Sequence, residues 1–404
     1  EFCFKFGMIG KIFRFDERKR IMIYFDHAAT SFPKPKEVGE AMLEAVNEYG
    51  ANPGRGGHFL SKKAGKIIEE TREKLMDFFS APSANHVWFY QNATMALNQA
   101  ILGFPFEEGQ HVVTTAFEHN SVLRPLNRLV EEKRIDVTYV EPDENGLITT
   151  EAIRMVVTPH TRMIAVSHAS NVTGALIDLK AISDIAKQVN AVLLVDASQT
   201  AGTIPISMEE QGIDLLALAG HKSMLGPQGT AVLISKQDYG LKPLITGGTG
   251  SHSELPEQPL QWPERYEAGT LNTPGIAGLS KGIDEINEVG IESIYKHEQE
   301  LMRSCLEGLK RLEGISFYGP TDLTKRLAVL SFRLEQIGSH ELAIILDEHY
   351  KIGVRAGLHC APRTHHSLAT IDTGLVRVSF GPYNTKEEVE TFVQAIEEIV
   401  TAFQ

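Results

Sequence analysis

The stretch that most constrains this chain is 191–229, AVLLVDASQTAGTIPISMEEQGIDLLALAGHKSMLGPQG. Its aliphatic run, 192–195, lacks polar alternation and so reads as a parallel strand covered on both faces. Asp196 stands at the carboxyl end of that strand, the edge at which open α/β sheets bind ligands, where a carboxylate can meet a cationic ligand atom. A second apolar strand, 214–219, delivers Gly220-His221-Lys222 to the same edge. A lysine leaving a buried strand end for a glycine-rich loop is a candidate Schiff-base residue, because desolvation lowers an ammonium pKa. Alone, Lys222 reads as a surface lysine after a strand; the company of Asp196, Gln199 and His221 reverses that reading. A lysine paired with a carboxylate able to hold a pyridinium nitrogen is what a protein contributes to pyridoxal phosphate (PLP) chemistry.

VDASQT followed by AGHK and GPQG resembles the cofactor core of the class V, fold-type-I PLP enzymes, and among them the cysteine desulfurases and selenocysteine lyases. The likeness runs from about Tyr24 to the C-terminus. It implies an α/β chain with the PLP-dependent transferase fold: a large domain built on a mainly parallel seven-stranded sheet, and a smaller α+β domain. It also implies a homodimer with sites near the interface.

The order of elements agrees with that expectation. Strands are expected at 111–115, 137–140, 162–167, 192–196, 214–218 and 230–234, with helices near 121–133, 149–157 and 178–189. Such alternation predicts a doubly wound sheet with helices on both faces. The short connection Gly226-Pro227-Gln228-Gly229 leaves the last strand free to run antiparallel. Upstream, a helix over 36–49, a helix over 62–79 and a strand over 87–90 precede the turn Gln91-Asn92-Ala93-Thr94 and a helix through Leu102. Strand, small-residue turn and helix make a phosphate cup at Ala93 and Thr94, since free N–H groups and the positive helix end favour an anion. Thr94 adds a hydroxyl donor, compatible with a helix cap.

Beyond Thr246 a long glycine- and proline-rich loop precedes helices 275–289 and 292–312, strands 327–334 and 375–380 and a closing helix 385–402. The expected division is therefore a PLP-binding domain over 36–274 and a small domain of 22–35 with 275–404 that carries the cysteine loop. Residues 1–21, aromatic and basic but interrupted by Lys5, Lys11 and Arg14, are expected to be a poorly ordered extension.

Resemblance then assigns roles. Lys222 carries the cofactor, Asp196 keeps the pyridinium nitrogen protonated, Gln199 bonds the phenolic oxygen, and Thr94 and His221 donate to the phosphate. Thr270 reaches the phosphate of a dimer partner. His119 stacks on the cofactor ring and shares in proton transfer, Asn171 contacts cofactor or substrate, and Ala28 lies close to the substrate. The family's serine before Gly-His-Lys is Ala219 here, which removes one phosphate hydroxyl. His58, in a glycine-rich loop, reads equally as an active-site residue and as an incidental histidine.

The second decisive segment is Gly353-Val354-Arg355-Ala356-Gly357-Leu358-His359-Cys360-Ala361-Pro362. Cys305, on a helix, reads as a buried small hydrophobe, whereas Cys360 lies in a loop beside His359 and near Arg355, neighbours that favour a thiolate. The loop resembles the Arg-Ala-Gly-His-His-Cys segment of group II cysteine desulfurases, with Leu358 in place of the first histidine; there the cysteine receives sulfur as a persulfide. Arg377, between valines on strand 375–380, is the candidate for a substrate carboxylate, and Arg355 is taken as a further substrate-binding residue.

These readings predict a cysteine desulfurase: sulfur leaves L-cysteine, L-alanine is released, and Cys360 holds a persulfide for an acceptor protein. The alternatives are a selenocysteine lyase acting on L-selenocysteine, another class V aminotransferase or lyase, metal binding by His359, Cys360, His365 and His366, or a non-catalytic scaffold. No metal is expected. A net charge of −13 argues against nucleic-acid binding, no apolar run reaches membrane-spanning length, and three cysteines fit a reducing cytoplasm.

Overall fold

The structure is a computed structural model that describes residues 22–53, 57–250, 254 and 256–403. The extension expected over 1–21 lies outside the described residues. In chain order the first half comprises β1 (Ile23–Tyr24), α1 (Lys36–Glu48), α2 (Phe59–Phe79), β2 (Val87–Tyr90), α3 (Ala93–Leu102), β3 (Gln110–Thr115), α4 (Asn120–Glu131), β4 (Ile135–Val140), α5 (Thr150–Val156), β5 (Thr161–Ser167), α6 (Leu179–Gln188), β6 (Val192–Asp196), α7 (Met208–Gln211), β7 (Leu215–Ala219) and β8 (Ala231–Ser235). The rest comprises α8 (Thr273–Val289), α9 (Ile291–Leu309), β9 (Ile315–Tyr318), β10 (Val329–Leu334), α10 (Ser339–Tyr350), β11 (Ile352–Gly353), β12 (Arg355–Gly357), α11 (Pro362–Ser367), β13 (Leu375–Ser379) and α12 (Lys386–Phe403).

A seven-stranded sheet in the order β2-β8-β7-β6-β5-β3-β4 forms the centre. β8 runs antiparallel to both its neighbours, and the other pairings are parallel. The central strands read as continuous apolar runs because both faces are covered. Val113, Ile164, Leu193, Val195 and Leu216 point into one core, which Ile276, Leu279 and Ile283 of α8 help close. Val112, Met163, Leu194 and Leu215 point the other way, against Leu97 of α3 and Leu126 of α4.

A second, antiparallel sheet has the order β12-β13-β10-β9. Its inward residues Leu330, Phe332, Val376 and Val378 pack with Cys305 of α9, Leu342 of α10 and Phe392 of α12. The first described strand returns to this unit: β1 pairs in parallel with β11, and Phe25 is buried in the same core. Segment 26–34 then leads from the smaller sheet to the carboxyl edge of the larger one.

Candidate active site

The carboxyl ends of β3, β5, β6 and β7 converge on a cavity of ≈ 220 Å³, which the start of α3 and the smaller sheet complete. At one end lie Asn92, Ala93 and Thr94. Asn92 caps α3 by accepting the Met95 N–H at 3.0 Å, so the helix begins where its first N–H groups face an anion site. Thr94 Oγ1 lies 2.7 Å from Ser121 Oγ, and the methyl of Ala219 lines the cavity nearby.

Lys222 and Asp196 meet in the middle. Burial lowers the Lys222 amine to about 8; Asp196 opposes the shift, and Arg377 and Arg355 add to it. The Asp196 carboxylate accepts the Ser198 N–H at 2.9 Å. Gln199 donates from Nε2 to the carbonyl of Ala28 at 3.0 Å, which fixes both at the cavity wall. The His221 ring, held to about 4 by burial and then by Lys222 and Lys34, contacts Thr30 Oγ1 at 3.1 Å.

The peptide groups flanking Lys222 are held from segment 26–34. Thr30 Oγ1 and the Ser31 N–H donate to the carbonyl of His221 at 2.9 and 3.1 Å, and Lys34 Nζ donates to it at 2.6 Å. Ser31 Oγ donates to the carbonyl of Lys222 at 2.8 Å. Burial lowers Lys34 to about 7. From the far side two glycines allow close approach: a Cβ on Gly202 would come within 2.3 Å of Ser223 O, and one on Gly282 within 2.4 Å of Met224 O.

His119 caps α4, its Nδ1 accepting the Ser121 N–H at 3.1 Å, so the neutral ring carries its proton on Nε2. Burial, then Lys222, lower it to about 4, with Asp196 opposing. Beside it Glu118 is fully buried and accepts from Thr115 Oγ1, Ser167 N–H and Ser167 Oγ at 2.6, 3.0 and 2.7 Å; burial raises it to about 7. Neither Glu118 nor Lys34 is signalled in the sequence, since the partners that tie each to the site, Ser167 and His221, are 49 and 187 residues away.

Arg377 is 1 % exposed. Its fork donates to Asp26 Oδ1 at 2.6 Å and to Asn171 O at 2.9 Å. Arg355 stands directly opposite it in the β12/β13 ladder, and both line the cavity. Two cations in register destabilise a sheet unless an anion lies between them.

Cys360 is exposed and is not among the cavity-lining residues, whereas its neighbour His359 is. The loop is tied to the large sheet's elements: the Asn120 N–H donates to Cys360 O at 2.8 Å, and Asn171 Nδ2 donates to His359 O at 2.7 Å. Cys305 is buried, and burial pushes its thiol far up. His58 is not brought to this cavity; it is exposed and caps α2, accepting the Ser61 N–H at 3.3 Å. Thr270 lines a separate cavity of ≈ 450 Å³ that shares Thr94 with the first. Among the described residues no group of three His, Cys, Asp or Glu side chains is placed to hold a metal ion.

Three buried polar atoms on cavity-lining residues have no hydrogen-bond partner among the described residues: Ser198 Oγ, Asn171 Oδ1 and Arg377 Nε. With an anion cup at one end, an amine and a carboxylate in the middle and paired guanidinium groups at the other, the residues present fit a phosphorylated pyridine aldehyde bearing an amino acid.

The chain belongs to the class-V aminotransferases, matching the model of that family, Aminotransferase class-V, over residues 23–392. Within the family it is similar to cysteine desulfurases. A probable cysteine desulfurase of Pyrococcus abyssi is 39% identical over 95% of each chain. Another, of Methanothermobacter thermautotrophicus, is 37% identical over 95% of this chain and 97% of the relative. Among solved structures, the apo cysteine desulfurase of Thermococcus onnurineus superposes with a TM-score of 0.88 at 36% identity, over 94% of this chain and 95% of that one.

Proposed function

We infer that this protein is a PLP-dependent cysteine desulfurase that converts L-cysteine to L-alanine and leaves the sulfur on Cys360. The observation that carries the reading is the Lys222–Asp196 pair at adjacent strand ends facing the Arg355–Arg377 pair across one cavity. The Ala93–Thr94 turn and His221 would hold the cofactor phosphate, Asp196 the ring nitrogen, Gln199 the phenolic oxygen, and Lys222 the aldehyde carbon. When bound, PLP supplies an electron sink for the carbon that loses its proton.

The chain's own residues do the rest. Arg377 and Arg355 bind and orient the substrate carboxylate, with Asn171 beside it. Lys222 Nζ takes the α-proton, and His119 Nε2 is the second proton carrier on that edge. Cys360 Sγ, as thiolate, attacks the substrate sulfur; the carbon–sulfur bond breaks, its electron pair stays with the carbon fragment, and that fragment takes a proton to become alanine. The persulfide then passes to an acceptor protein. The reading includes a cytoplasmic homodimer in which Thr270 serves the partner's phosphate, and the two-domain division expected from the sequence.

Borohydride reduction and peptide mapping test it: Lys222 should carry the label, and Cys360→Ala should keep the cofactor colour while losing sulfur release. An unlabelled Lys222 in cofactor-saturated protein rejects the reading. One observation favours a second substrate: the Cys360 thiol stands outside the cavity, as a selenocysteine lyase that does not need it would allow. Alanine formed from cysteine and from selenocysteine, with and without Cys360, separates the two.

A further inference from the structure

His359 and Cys360 sit side by side in the left-handed backbone region, with φ of 52° and 57°. Residues with side chains are strained there and stay only where the surroundings over-determine them. The bonds from Asn171 and Asn120 to the two carbonyls hold the backbone. The His359 side chain is held separately.

Its Nε2 lies 3.4 Å from the carbonyl of Arg355, and its Nδ1 lies 3.4 Å from Nε2 of His365. Nδ1 of His365 lies 2.9 Å from Thr370 Oγ1. The two rings stack at 5.6 Å and 19°, and both are buried. A carbonyl only accepts, so His359 carries a proton on Nε2, and the neutral ring then presents a lone pair at Nδ1. His365 must then donate from Nε2 and accept from the Thr370 hydroxyl. With both rings neutral, this one proton arrangement satisfies all four groups. Burial, the leading cause for both, lowers the two imidazoles below their usual value.

We propose that His365 is a positioning residue of the desulfurase reaction: its Nε2–H fixes the His359 ring, and with it the strained turn that presents the Cys360 thiol. The proposal rests on the reading in which Cys360 takes the sulfur. His365 lies five residues beyond the cysteine and is absent from the cavity wall, so it acts only through His359.

The test uses cofactor-loaded protein. In ¹⁵N-histidine spectra both rings should be protonated at Nε2 and bare at Nδ1. His365→Phe keeps a buried ring and removes both bonds. It should lower kcat about tenfold and change the iodoacetamide rate at the Cys360 peptide about fivefold, while KM and the cofactor band stay within about twofold. His365→Gln, which keeps an N–H toward His359, should recover most of the loss. Thr370→Val, remote from the thiol, should give a smaller loss, because it removes the hydroxyl that bonds His365 Nδ1 and leaves the Nε2–H toward His359 in place. A coloured His365→Phe protein with wild-type kcat and Cys360 alkylation overturns the proposal, as does a protonated Nδ1 on His359. Should His365→Phe not fold, a bare Nε2 on His365 in the ¹⁵N spectra of the unsubstituted protein overturns it equally. Full turnover by Cys360→Ala would instead remove the functional reading, and the alkylation and ¹⁵N measurements would still decide the placement of the thiol.

Discussion

A lysine amine reacts with an aldehyde only when it has lost its proton, and burial brings that loss at Lys222 to about 8. In protein stripped of cofactor, the rate at which added PLP is captured at Lys222 and fixed by borohydride should rise as pH passes through 8, well below the ordinary lysine value. A profile that rises only near the ordinary value would show that the amine is solvated. Arg377 offers a second test, because its fork already spans Asn171 O and Asp26 and leaves Nε over. Arg377→Lys keeps the charge and loses the plane, and kcat/KM for cysteine should drop about 100-fold, mostly through KM. Lys222, Asp196 and Arg377 were legible in the sequence because each stands on or just after an apolar strand. Their positions follow from the pleat and the sheet edge. Lys34, Glu118 and His365 were not, since their roles arise from hydrogen bonds to groups 187, 49 and 6 residues away. His58 shows the reverse case: a suggestive glycine-rich setting, and a side chain spent on capping α2.

Regular elements followed their patterns to within a few residues wherever burial was strong. Strand 87–90 and strand 192–196 coincide with β2 and β6, and the last strand of the large sheet does run antiparallel. The region 313–374 was poorly legible. β11 and β12 have two and three residues, too short to show a period, and β9 is half-buried throughout, so all three are set by their partners. α8 illustrates packing that sequence does not announce: Gly282 lets it lie against the backbone of Met224 and Leu225, just after Lys222. Gly282→Ala should destabilise the protein by about 1–3 kcal/mol through overpacking, seen as a lower thermal midpoint. A variant that melts with the wild type would mean that the helix can shift outward at no cost.

At the scale of the whole molecule, two sheets with separate cores share one cavity, and the start of the described chain belongs to both. Phe25 is fully buried against Phe380 and Phe392, at ring separations of 5.2 and 5.7 Å. Phe25→Ala should cost about 3–5 kcal/mol in chemical denaturation. Immediately beyond it, Asp26 bonds Arg377, Ala28 donates to Ser379 Oγ while accepting from Gln199, and Ser31 and Lys34 hold the carbonyls of Lys222 and His221. Nine residues thus act as a gauge block between the Arg377 guanidinium, proposed to grip a carboxylate, and the Lys222 amine, proposed to meet an aldehyde. On the proposed reading the spacing offered to an α-amino acid is set by the length of this connector, so lengthening it by one residue should change which substrates fit before it changes how well the protein folds.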